Sequence, residues 1–210
     1  MLLFLQFSTS ETCNGHWFTG RKGTGKDTAA QYFVDKYGFT RVAYADVLKE
    51  AAAELFDIPV EYMDRYKNNN RARIRFEVQH ETILGAYDHM TDMPLRTFLQ
   101  RFGTEMGRNI FGPSFWVDQL KRRMDEGTMR DNYVISDVRF NNEVTLCDYV
   151  IEIIRDTVQG PDVHVSEAGL DEELVHYIVV NNGTIENLHS RLEAVMQEIV
   201  SSLPIPSVGQ

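Results

Sequence analysis

At 210 residues, with 43% hydrophobic and 25% charged side chains, the chain is long enough to bury one sizeable core and has an ordinary globular composition. Its formal net charge of −10 excludes a broad basic face for duplex nucleic acid, but it leaves room for a small anionic ligand held by a local cluster of donors. The two cysteines, Cys13 and Cys147, form no C-x-x-C pair, which fits a reducing compartment, and the six histidines show no metal-ligand spacing.

The N-terminal MLLFLQF is apolar but lacks the basic residues and cleavage site of a secretory signal, and it is too short to span a bilayer. Residues 1–15 are expected to form an extension, either an extra edge segment or a frayed end. No other stretch reaches transmembrane length, so no membrane partner is expected. His16–Thr19 reads as a strand entering the loop GRKGTGKDT, Gly20–Thr28. From Lys26 to Tyr37, apolar residues recur at helical spacing (Ala29, Ala30, Phe33, Val34, Tyr37), and Gly38 is the stop. Thr40–Tyr44 is predicted as a second strand. Asp46 is placed to cap a helix whose buried face includes Val47, Leu48, Ala51, Ala52, Leu55 and Phe56, ended by Pro59.

Residues 59–93 are less regular and read as an insertion or cap. Pro94 opens a long helix through Met106, with Leu95, Phe98, Leu99 and Phe102 on one side, and another helix is predicted over Ser114–Glu126. NYVISDVRF (Asn132–Phe140) reads as a buried strand ending in Asp137, DYVIEIIRD as the next strand, and HYIVVNNGT as a last strand and turn. An amphipathic helix to about Ser201 and a loose tail over 203–210 close the chain. This alternation predicts a single α/β domain with a parallel sheet.

G-x-x-x-x-G-K between a strand and a helix is the spacing of a phosphate-binding loop. Its glycines let backbone N–H groups turn inward around phosphates, the helix N-terminus adds partial positive charge, and Lys26 reaches the phosphate that is transferred. Gly20, Arg21, Lys22, Gly23, Thr24, Gly25, Lys26, Asp27 and Thr28 are therefore candidates for binding a triphosphate. Asp27 stands where Ser or Thr is usual. A carboxylate beside a triphosphate is repelled unless Mg2+ lies between them, and magnesium accepts an Asp directly or through water. Asp27 also suits the helix dipole as a first-turn acid. Thr28 lies one residue, about 100°, further round the helix, where it contacts the α-phosphate or the metal.

Further along, AYADVLKEA (Ala43–Ala51), LRTFLQRFGTEMGRNIFGPSFWVDQL (Leu95–Leu120), VISDVRFNNEV (Val134–Val144) and VHVSEAGL (Val163–Leu170) follow in order. Together with the loop, this series resembles the bacteriophage deoxynucleoside monophosphate kinases, which also carry Asp after the loop lysine. The resemblance runs from about Trp17 to Val200. Dephospho-coenzyme A kinases and animal phosphomevalonate kinases are similar in layout.

The resemblance implies an α/β, three-layer P-loop kinase fold with a parallel central sheet, a substrate-side insertion over 59–93 and a lid over 155–172. It implies ATP and Mg2+ as cofactors, a (deoxy)nucleoside monophosphate as acceptor and a diphosphate as product. A homodimer is implied by the resemblance alone, and host cytoplasm is the location if the origin is viral. Arg108 and Arg139 match positions expected to hold the acceptor phosphate, a task that suits a bidentate guanidinium. Lys67 and Arg96 are further candidates, Arg96 with a structural salt bridge as the equal alternative. Asp46 orients the acceptor or its sugar, or only caps its helix; with Lys26 and Arg139 it forms the expected catalytic set.

Asp137 resembles a Walker-B carboxylate holding Mg2+ through water, or it bonds strand-end amides. Gln100 and Glu105 are base readers or packing residues. Arg155 is expected to reach across both phosphates, with His164 and Ser166 in the lid and no zinc implied. Asn182 and Gly183, within Asn181–Thr184, match the adenine turn, although Asn-Gly is also ordinary turn chemistry. Two alternatives stay open: a kinase of dephospho-coenzyme A or another small molecule, and an ATP-binding switch or assembly protein. Arginines spread over several strand ends favour a kinase.

Overall fold

The computed structural model describes residues 15–69, 71–82, 85–126, 132–146, 148–157 and 169–202. The N-terminal extension up to residue 14, both cysteines, lid residues 158–168 with His164 and Ser166, and the tail 203–210 lie outside the described residues. The chain forms two compact units, Met1–Ala43 with Met124–Gln210, and Tyr44–Arg123.

The first unit begins with β1 (Gly15–Thr19), the glycine loop, α1 (Lys26–Tyr37) and β2 (Thr40–Val42). Helix α1 stops where expected: Gly38 is left-handed at φ 71°, and its N–H bonds back to the Phe33 and Val34 carbonyls. The predicted second strand is shorter than its β-branched and aromatic run suggested. It stops at Val42, and Tyr44 is instead buried at the start of a helix, so tertiary burial overrides strand propensity there.

The second unit carries α2 (Tyr44–Phe56), α3 (Val60–Tyr66), an antiparallel hairpin of β3 (Arg73–Thr82) and β4 (Gly85–Pro94), α4 (Leu95–Arg101), α5 (Asn109–Phe111) and α6 (Phe115–Glu126); the division between units falls within α6. Asp46 does not cap α2; it is the third residue inside the helix, in the first turn, where the dipole favours an acid. The buried stripe of α2 is also rotated from the predicted one: Leu55 is 61% exposed, while Lys49 is buried and paired. The helix ends before Pro59, as Asp57 takes a left-handed φ of 53°, and Pro59 serves as the N-cap of α3.

The long helix opened by Pro94 runs past Met106 and changes its hydrogen-bond spacing on the way. Residues Phe102–Arg108 form a π-helical segment between α4 and α5. The buried indole of Trp116 donates from Nε1 to the Gly103 carbonyl of that segment at 2.8 Å. A Cβ on Gly107 would stand 2.3 Å from the same nitrogen, so glycine is required by close approach. Phe56, Phe98 and Phe102 stack around this helix with centroids 5.0–5.9 Å apart.

Back in the first unit, β5 (Tyr133–Ile135), β6 (Tyr149–Ile154), β7 (Tyr177–Val180) and α7 (Ile185–Ser202) complete a five-stranded sheet in the order β2-β5-β1-β6-β7, every pairing parallel. Strand β5 is three residues long, and Asp137 lies two residues beyond it instead of ending it. The reason lies in where the backbone groups go: the Val138 carbonyl accepts from Thr19 Oγ1 at 3.1 Å, and the Arg139 and Phe140 amides donate to Glu143, so none of them joins the ladder. Phe18, Val134, Ile151, Ile153 and Val179 line one sheet face and pack with Ala29, Ala30 and Phe33 of α1 and Leu188, Leu192, Met196 and Ile199 of α7. Among the described residues no helix is long and apolar enough to cross a membrane.

Candidate active site

Because all five strands run the same way, the loops after β1, β5, β6 and β7 emerge from one edge of the sheet, where ligands of open α/β folds bind. That edge of the first unit gathers Gly20–Thr28, Asp137 and Arg139, Arg155, and Asn181–Thr184.

The glycine loop has a shape that L side chains cannot copy. Gly20, Gly23 and Gly25 sit at φ 126°, 86° and 108°. A Cβ on Gly20 would lie 2.3 Å from the Ile153 carbonyl oxygen, and one on Gly25 2.5 Å from Asn181 Nδ2. Asn181 is buried, and its amide donates to the Thr24 carbonyl at 2.7 Å, bracing the loop from β7. Thr24 Oγ1 donates to the Arg21 carbonyl at 2.9 Å. The Lys26 ammonium folds back over the loop, 2.6 Å from the Gly20 carbonyl and 2.7 Å from that of Arg21. The N-cap of α1 is Gly25, which makes no side-chain cap bond to the first turn.

Asp27 is 89% exposed, with Arg41 of β2 at 3.8 Å, a pair too loose and too wet to hold it strongly. Thr28 is half-buried and opens on a cavity of about 480 Å³ between α1 and α7, lined also by Tyr32, Ile185 and His189. The Tyr32 and His189 rings stack there with centroids 4.3 Å apart. Asn182 exchanges two bonds with Asp156, the Asp156 amide donating to its Oδ1 at 2.9 Å and its Nδ2 donating to Asp156 Oδ2 at 2.6 Å. Gly183 precedes Thr184, which caps α7 reciprocally with Asn187.

Arg139 follows β5 by four residues, and its backbone is fixed by Glu143. That carboxylate is buried and accepts from the Arg139 amide at 2.7 Å and the Phe140 amide at 3.1 Å. The two converging amide bonds fix the backbone turn on which Arg139 sits. Sequence reasoning passed over Glu143, Thr19 and the bracing role of Asn181; only their place just beyond or before glycine- and Asp-rich turns hinted at them.

In the second unit the candidates are side chains on helices. Arg96 and Gln100 are half-buried and, four apart on α4, share one face. Glu105 is exposed and bonds Arg101 at 2.9 Å. Arg108 ends the π-helical segment and donates from Nη1 to the Pro113 carbonyl at 2.9 Å. Lys49 Nζ donates to Asp46 Oδ1 and Asp64 Oδ1, each at 2.7 Å, and Lys67 Nζ lies 3.4 Å from the same Asp64 oxygen. Burial works against the Asp64 charge, but the Lys49 bond and charge hold its carboxyl below the usual carboxylate range. Asp46-x-x-Lys49 spacing was a legible signal for this pair; the third partner, fifteen residues on, was not.

The chain also has sequence relatives. A family model for deoxynucleotide monophosphate kinase matches residues 52–192. A protein of Acanthamoeba polyphaga mimivirus, assigned as a deoxynucleotide monophosphate kinase, is 35% identical over 182 residues, spanning 82% of this chain and 91% of that one. The deoxynucleotide monophosphate kinase of Escherichia phage RB69 is 29% identical over 125 residues, 56% of this chain and 51% of the phage protein. That of Enterobacteria phage T4 is 22% identical over 239 residues, 86% and 98% respectively. Among solved structures, a dephospho-CoA kinase from Campylobacter jejuni aligns over 90% of this chain and 98% of its own, with 13% identity and a TM-score of 0.49.

Proposed function

The chain belongs to the deoxynucleotide monophosphate kinase family, and from that premise we propose that it moves the γ-phosphoryl group of ATP onto the phosphate of a deoxynucleoside monophosphate, giving ADP and the deoxynucleoside diphosphate. The observation that carries the reading is the glycine loop of the first unit, with three left-handed glycines and Lys26 folded across its carbonyls. The loop amides and the α1 N-terminus bind the β- and γ-phosphates, and Lys26 follows the charge as it moves. The Asn182–Gly183 turn and the cavity behind Thr28 take the adenine ring.

An acceptor phosphate is already largely ionised near neutral pH, so the reaction needs little general-base work. Positioning and charge neutralisation do most of it. Arg139 and Arg155 neutralise the transferring group and the acceptor phosphate. In the second unit Arg96, Arg108 and Lys67 take the acceptor phosphate, Asp46 and Gln100 its sugar or base, and the 59–93 segment forms the acceptor side. Lys26, Arg139 and Asp46 form the catalytic set. Asp27, Thr28 and Asp137 are all hard oxygen donors, which fits Mg2+. Bound there, directly or through water, it would neutralise charge on the β- and γ-oxygens.

The test is ADP formation from Mg-ATP with each deoxynucleoside monophosphate in turn, beside dephospho-coenzyme A and a control without acceptor. Formation that needs a monophosphate is expected. Formation with dephospho-coenzyme A only, or with no acceptor, would replace this reading with a different kinase or a nucleotide-driven switch. A homodimer in the host cytoplasm completes the proposal, and sedimentation of the purified chain tests the first half of it.

A further inference from the structure

Lys49 is an unusual residue to bury. It is 4% exposed, and lysines are almost never fully buried unless paired, since desolvating an ammonium is costly. Its Nζ is met by two carboxylates at 2.7 Å, Asp46 Oδ1 from its own helix and Asp64 Oδ1 from α3. The Asp64 oxygen is shared with Lys67 Nζ at 3.4 Å. The result is an alternating ladder, Asp46–Lys49–Asp64–Lys67, with a buried second member. Asp46, Asp64 and Lys67 have side chains 32%, 48% and 42% exposed, so the ends of the ladder are accessible to a ligand while Lys49 is not.

If the ladder served only to fasten α3 to α2, a packed apolar set at 46, 49 and 64 would serve as well, because replacing a buried ion pair by packed hydrophobics is often neutral or stabilising. Fully buried Met63, beside Asp64, already gives α3 an apolar anchor. What an apolar residue would not do is hold a carboxylate and an ammonium in fixed, charged positions at the two accessible ends. We propose that Lys49 is a positioning residue that joins Asp46 and Lys67, through Asp64, into one acceptor-binding unit. The inference rests on the kinase reading above. A nucleoside monophosphate suits such a pair, offering a dianionic phosphate to the ammonium and a sugar O–H or base N–H to the carboxylate.

The test uses the full chain in steady state with Mg-ATP, varying the monophosphate that the wild-type protein accepts. Asp64→Asn removes the shared anion without touching either end. It is expected to raise the monophosphate KM about fivefold while the KM for ATP stays in place, since coupled members of one network typically interact at about that level. Lys67→Ala should do the same. The double variant should be no worse than the poorer single, because the second change breaks a link that is already broken. Lys49→Met is expected to raise the KM further; should it fail to fold, the Asp64 and Lys67 variants still decide, as both side chains are about half exposed. An unchanged monophosphate KM in Asp64→Asn, with or without a fall in Tm, would overturn the proposal and leave a purely structural ion pair. So would single effects that multiply in the double variant. Absence of monophosphate-dependent ADP formation by the wild-type protein would instead sink the kinase reading itself.

Discussion

On the proposed function the two units would meet phosphate chemistry by different means. In the first, the ligand groups would be mostly backbone N–H groups, shaped by glycines at φ 86° to 126° and braced by a buried Asn181. In the second, they would be long side chains, ordered by ion pairs such as Lys49 with Asp46 and Asp64. A backbone site tolerates changes in most neighbouring side chains but not the addition of a Cβ. A side-chain site has the opposite weakness: its backbone can shift a little, yet each arm is lost with one substitution. The contrast can be broken or sharpened by substitution in each unit.

Lys26→Ala should produce the largest effect, because on the proposed function Lys26 is the loop side chain aimed at the phosphate that is transferred. Loss of an aimed charge at the transferring group typically costs about 10³-fold, and that loss is expected in kcat with the fold intact. Folded variant protein with undiminished turnover would remove the loop from the mechanism. Gly25→Ala comes next. It adds one carbon, at a φ of 108° that alanine resists and 2.5 Å from Asn181 Nδ2. Small misplacement of a positioning element can cost about 10²-fold, and we expect that loss in kcat/KM with a stability penalty of only about 1–3 kcal/mol. Equal activity would show that the loop's shape is not what binds.

In the second unit Trp116→Phe is expected to cost less, about threefold to tenfold in kcat/KM for the monophosphate, because it removes one buried bond worth about 1 kcal/mol rather than a ligand group. Its Nε1–H holds the Gly103 carbonyl in the π-helical segment that ends at Arg108. A well-folded Trp116→Phe variant whose monophosphate KM is unchanged would detach the segment from acceptor binding.

How far each unit could be read from the sequence follows the same division. The glycine loop and α1 were legible to the residue, since Gly25 and Gly38 mark both ends by local chemistry. The parallel sheet was legible from alternation. The buried face of α2 was not, because Lys49 is buried by Asp64, fifteen residues away, and no periodicity announces that pairing. Nor was the π-helical segment, whose surplus carbonyl is satisfied by Trp116 from another helix. The short β5 depended on Glu143 and Thr19 taking its continuation's backbone groups. What glycine and spacing encode locally was readable; what a distant polar partner decides was not.

The smallest effect supplies a control for the ion-pair reading. Glu193 of α7 is, like Lys49, the centre of a polar cluster: Tyr37 and Tyr32 donate to its Oε2 at 2.6 and 2.8 Å, and Lys36 pairs with it. The Lys36 bond, then that of Tyr37, holds its carboxyl down to about 2. A carboxyl depressed in the folded state stabilises fully above its unfolded value near 4.5, and the stabilisation is lost as pH falls from there toward 2. The shift alone would be worth about 3 kcal/mol, but the pair is partly solvated and screened, so about 1 kcal/mol is the expected loss for Glu193→Gln at pH 7. In urea melts the gap between wild type and variant should therefore be constant from pH 7 to about 5 and close below it. A gap that persists undiminished to pH 2.5 would mean the amide is penalised for its shape and not its missing charge. Because this cluster ties α1 to α7 and holds no acceptor-side residue, Glu193→Gln should lower stability without moving the monophosphate KM, the reverse of what Asp64→Asn is expected to do.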